Sequence, residues 1–129
     1  MDATIPSLTA GISKAIPESA TGVGAQMRIQ TFESNEGQNS EKFVIADGEV
    51  QSAGDIPVEI LKHESQYAQL PEYEPALEKM WADGQNEWRA ISGRSNLSTA
   101  AKTGHYIHVD RPDLASKAIQ KVTAEVADQ

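Results

Sequence analysis

Three histidines, eleven serines and no cysteine bound the side-chain chemistry open to this 129-residue chain. The histidine best placed for chemistry is His105, in Thr103-Gly104-His105-Tyr106-Ile107-His108-Val109-Asp110-Arg111-Pro112. There a short strand ends, a glycine allows a sharp turn, and an amphipathic helix follows. A polar residue on a loop held between rigid elements is a better candidate for chemistry than a buried one. A neutral imidazole there can accept a proton near pH 7, because its ordinary pKa lies close by. His108, slightly further on, reads as a packing or capping residue near the start of the last helix. His63, His105 and His108 do not read as a metal cluster: His105 and His108 fall on a turn, and no H-E-x-x-H motif accompanies them. No metal is expected. The lack of cysteine excludes a disulfide framework, a thiolate zinc site and a cysteine nucleophile.

The elements that must position these residues follow from patterning. Leu8, Ile12, Ala15 and Ile16 predict a short helix that Pro17 ends. Met27 to Phe32 alternates apolar and polar residues, which predicts a half-buried strand. The polar, acidic run from Glu33 to Glu41 reads as a solvated loop. Phe43 to Ala46 is a second strand candidate, closed by a hairpin-type turn at Asp47-Gly48. Asp55 to Leu61 reads as a strand rich in β-branched residues, with Pro57 near its start. After a polar loop from Lys62 to Pro71, an apolar stripe of Tyr73, Ala76, Leu77, Met80, Trp81, Trp88 and Ile91 predicts a long helix. Pro75 suits its first turn, Glu72 and Glu74 its positive end, and Gly93 its stop. Gly84 inside it costs about 1 kcal/mol relative to alanine. Trp81 and Trp88 read as core or helix–sheet packing.

Leu97 to Ala101 reads as the last strand. The final helix begins near Pro112 and presents Leu114, Ala118, Ile119, Val122 and Val126 on one face. Strand, helix, strand, helix predicts an α/β fold with a parallel sheet and covering helices. A right-handed crossover then puts the His105 loop at the carboxyl ends of the strands. Ligands gather there in open α/β sheets.

The bulk properties exclude some classes. A net charge of −8 with scattered basic residues argues against nucleic acid as a partner. No apolar run approaches the roughly 18 residues of a membrane span. The start, Met1-Asp2-Ala3-Thr4-Ile5-Pro6, lacks the basic and apolar regions of a signal peptide. A soluble, cytoplasmic protein is the expectation.

Residues 52–126 carry a resemblance. Gly54-Asp55-Ile56-Pro57-Val58 with its strand, the Trp-bearing helix, and Gly104-His105-Tyr106-Ile107 running into Asp110-Arg111-Pro112 resemble the last strand–helix–strand–helix of the α/β-hydrolases. The resemblance implies that His105 is the general base of a Ser-His-Asp/Glu triad. It puts the acid just after the penultimate strand, where Lys62-His63-Glu64-Ser65-Gln66 offers Glu64 as the one carboxylate. Asp47 or Glu49 is the fallback. The family's nucleophile sits on a G-x-S-x-G elbow, which this chain lacks. Gly93-Arg94-Ser95-Asn96-Leu97 comes nearest but has no second glycine.

A complete fold of that family runs to about 250 residues. The expectation is therefore an incomplete fold, with a variable N-terminal segment over 1–51 and a hydrolase-like C-terminal portion over 52–129. The missing N-terminal part would complete a site acting on an ester, amide or similar bond of a small-molecule substrate, without a cofactor. The alternative is a non-catalytic hydrolase-like module that binds a partner or forms a homo-oligomer through an exposed sheet edge. A small enzyme with another nucleophile, or with His105 activating water, ranks behind both, because it would lack the oxyanion hole.

Overall fold

The computed structural model describes residues 6–32 and 52–127. These form a mixed α/β arrangement with one parallel sheet of two strands, β1 (Pro57–His63) and β2 (Arg94–Ala100). The helices are α1 (Pro6–Ala15), α2 (Gly22–Phe32), α3 (Glu74–Glu87), α4 (Ile107–Asp110) and α5 (Pro112–Ala127), with a 3₁₀ turn at Trp88–Ile91. Of the described residues, 52–66 and 85–127 make one compact unit, and 6–32 and 67–84 make another. The loop expected over Glu33 to Glu41, the strand expected over Phe43 to Ala46, and Asp47 and Glu49 lie outside the described residues. Among the described residues, no helix is long and apolar enough to cross a membrane.

In the first unit, β1 buries Pro57, Ile60 and His63 and half-buries the residues between them. It is apolar enough to be read as a strand from its own residues. The start of β2 is not, since Arg94, Ser95 and Asn96 are polar and the strand was expected only from Leu97. Partnership makes it a strand: Arg94 pairs with Pro57, Ser95 with Val58 and Asn96 with Glu59. Such pairing overrides weak intrinsic preference. The segments leading into the two strands are also tied together. Ala53 N–H donates to the Ile91 carbonyl at 2.6 Å, and Gly93 N–H to that of Gly54 at 3.1 Å. Gly54 takes a left-handed φ of +78°, which a residue with a side chain adopts only at a cost. Ser92 Oγ donates to the Ile56 carbonyl and accepts Arg94 N–H at 3.0 Å.

Helix α5 packs on β1. Leu114, Ala118 and Val122 are half-buried as the periodicity predicts. Ile119 and Val126, expected on the same face, are instead 68% and 53% exposed. Glu59 joins the layers: it accepts Asn96 Nδ2 from β2 at 2.9 Å and pairs with Lys121 of α5.

The second unit is helical. Its core holds Ile12, Ile16, Tyr67, Leu70, Leu77 and Trp81. Tyr67 and Trp81 meet edge to face at 6.3 Å, and Tyr67 N–H donates to Glu78 Oε1 at 2.9 Å. Trp81 is thus core, as expected, whereas α3 ends at Glu87 and Trp88 opens the 3₁₀ turn. Helix α2 replaces the strand expected over Met27–Phe32. Gly24 is buried and Ala25, Met27, Arg28, Thr31 and Phe32 are half-buried, which is helical spacing, while Ile29 of the apparent alternation is exposed. Arg28 also reaches back to the carbonyls of Ser13 at 3.1 Å and Ile16 at 2.6 Å. These are acceptors that the end of α1 leaves without intrahelical donors.

Candidate functional site

In-register pairing brings β1 and β2 to an end together, at His63 and Ala100. The loops that follow therefore leave from one edge of the sheet. His63 is 1% exposed and closes β1 on the inside. Glu64 and Ser65 both donate their backbone N–H to the Thr103 carbonyl, at 3.2 and 3.4 Å. In return, Glu64 Oε2 accepts Lys102 N–H at 2.8 Å. Thr103 is buried, and its hydroxyl donates to the Ala100 carbonyl at 2.7 Å. The turn bearing His105 is thus stitched to the end of β1 by backbone and carboxylate bonds. His105 sits at the carboxyl end of the sheet, where the alternation placed it.

The left-handed residue in this turn is Lys102, with φ of 60°, and not Gly104. A Cβ on Gly104 would lie 3.8 Å from both Asp110 Oδ2 and the Ser65 carbonyl, which is ordinary contact. A left-handed residue other than glycine stores about 1 kcal/mol or more of strain. Lys102→Gly is therefore expected to raise stability by about 0.5–1 kcal/mol after the extra chain entropy of glycine is counted. A rise in the urea midpoint at constant slope is the signature.

His105 and Glu64 come to the same end of the sheet, Glu64 directly after β1 and His105 shortly after β2. Glu64's hydrogen bond there is to Lys102, and Oε2 makes it. His105 is exposed, and its ring lies edge to face with Tyr106, centroids 5.1 Å apart at 74°. Tyr106 is itself 64% exposed and meets His108 in the same manner at 6.2 Å. His108 lies within α4 and packs on Tyr106, near the packing role expected of it. Ser95 stands near the start of β2, five residues before Ala100. At about 3.3 Å per residue that is about 17 Å along the strand, beyond hydrogen-bond reach of a base at the other end. The Gly93-to-Leu97 string is strand and not an elbow. Among the described residues, no group of three or more His, Cys, Asp or Glu could hold a metal ion.

Two features of the site carried no signal in the reading by spacing. Asp110 Oδ2 accepts Gly104 N–H at 2.8 Å. Arg111 binds the Ala101 carbonyl at 3.3 Å through Nη1 and clamps Asp113 through Nε and Nη2 at 2.8 and 2.6 Å. The hydrogen bond from Arg111 is the chief cause that holds the Asp113 carboxyl below its ordinary value, and it raises Arg111 in turn. A carboxyl lowered in the folded state stabilises above its unfolded pKa of about 3.9 and loses that contribution as pH falls through its folded value. Asp113→Asn should therefore sit slightly below wild type in urea midpoint at pH 7 and converge with it in acid. The gap is small because the pair is exposed.

Comparison of the chain with protein families, curated proteins and solved structures returned no match.

Proposed function

We propose that this chain supplies the base of an α/β-hydrolase-type site that cleaves an ester, amide or similar bond in a small-molecule substrate. The observation that carries the reading is the shared carboxyl end of two parallel strands in register, from which the exposed His105 turn emerges. His105 takes the proton of a serine hydroxyl, that oxygen attacks the carbonyl carbon, and the proton is then given to the leaving group. The serine belongs to a polypeptide segment outside this sequence, on a G-x-S-x-G elbow. Glu64 is the acid of this reading, with its carboxylate held at the end of β1 by Lys102 N–H on Oε2.

The test mixes the full chain with an α/β-hydrolase whose own C-terminal part has been removed. Turnover of a p-nitrophenyl ester and labelling by a fluorophosphonate are expected only from the mixture, with the label on the other polypeptide. Labelling of this chain alone, or turnover indifferent to His105→Ala, overturns the reading.

A second reading, self-association without catalysis, is favoured by the apolar groove of about 370 Å³ between α5 and β1, beside the exposed Ile119. Contiguous exposed apolar surface marks association sites. Light scattering behind size exclusion decides it, since a monomer at high concentration removes this reading.

A further inference from the structure

We infer that Asp110 is the positioning residue for His105, an inference that rests on the proposed role of His105 as base. Asp110 Oδ2 accepts the N–H of Gly104, the residue immediately before His105, at 2.8 Å. The residue immediately after it, Tyr106, is fixed from the other side. Its carbonyl accepts Val109 N–H at 2.8 Å and Asp110 N–H at 3.0 Å. The short helix α4 that presents Asp110 is anchored by Ile107, which is buried.

One carboxylate-bearing turn thus holds a backbone group of the residue on each side of His105. A charged acceptor makes this clamp stronger than a neutral one. Its use to a base is geometric, because a displacement of about 1 Å at a reacting group can cost about 100-fold in rate. Glu64 acts on Lys102, further up the loop, and leaves the amide of Gly104 to Asp110.

The test uses the full chain and needs no turnover. In wild type, the Gly104 amide should exchange slowly, and the His105 ring protons should be displaced by the Tyr106 ring current, an effect that Tyr106→Leu removes. Asp110→Ala should speed Gly104 exchange at least about 10-fold and collapse the His105 displacement. Asp110→Asn keeps a neutral oxygen at the same place and should retain most of both.

Unchanged exchange and ring shifts in Asp110→Ala overturn the inference, as does equal loss in Asp110→Asn and Asp110→Ala. If Asp110→Ala does not fold, a rapidly exchanging Gly104 amide in wild type overturns it just as well. In the complemented enzyme, Asp110→Ala should lower kcat with KM unchanged, and Asp110→Asn should restore it. A chain that never supports hydrolysis leaves the exchange and ring-current results intact, so the two failures read differently.

Discussion

In the proposed complemented hydrolase, His105→Ala is expected to lower kcat by about 10²- to 10⁴-fold, the contribution that a positioned general base would make. KM should move little, since in the proposed role the imidazole would handle a proton in the transition state and contribute little to ground-state binding. His105 is exposed, and its turn is held by Thr103, Glu64 and Asp110 through backbone groups that the substitution leaves in place. The melting transition should therefore stay within about 0.5 kcal/mol of wild type. His108→Ala, which removes a ring that packs on Tyr106, should cost far less activity. Equal losses from the two substitutions would show that the aromatic surface, and not a base, is what matters at this end of the sheet.

Leu77→Ala is expected to destabilise the chain by about 2–5 kcal/mol. Leu77 is 0% exposed in the core of the helical unit, among Ile12, Ile16, Leu70 and Trp81. Truncation removes the transfer energy of the side chain and leaves a cavity that packed neighbours only partly fill. A domain of this size has only about 5–15 kcal/mol to lose. The urea midpoint should fall sharply, and Trp81 fluorescence should report it because that ring shares the core. Val126→Ala, on the exposed side of α5, should change the midpoint by less than about 0.5 kcal/mol. A mild Leu77→Ala would mean that the core around α3 collapses readily onto the missing side chain.

The legible parts of the fold are those whose own residues decide the outcome. β1 reads as a strand from Val58, Ile60 and Leu61, and α5 as a helix from Leu114, Ala118 and Val122. Arg94 to Asn96 are strand residues because of what lies beside them, so their own types carry no signal. In α2, Met27 and Ile29 imitate a strand over six residues, while the helical recurrence of Gly24, Arg28 and Phe32 starts with a glycine that looks like a breaker. At the site, the position of His105 followed from alternation and strand polarity. Its support did not: Lys102 takes a glycine-like conformation without being glycine, and the reach of Asp110 back to Gly104 depends on a tertiary turn.

The two compact units also bear on where this polypeptide can be divided. Residues 67–84 lie between β1 and β2 in the chain, yet they cluster with α1 and α2. Met80 comes against Gly11, and Tyr73 against Gly24, closely enough that a Cβ on either glycine would crowd them. A piece beginning at residue 52 would keep every residue of the candidate site but lose this cover. Tyr67, Leu70, Leu77 and Trp81, on α3 and the segment before it, would then lose Ile12 and Ile16 from their core. Such a piece is a poor unit of inheritance or of expression, because the carboxyl end of the sheet travels with a hydrophobic segment that clusters with α1 and α2.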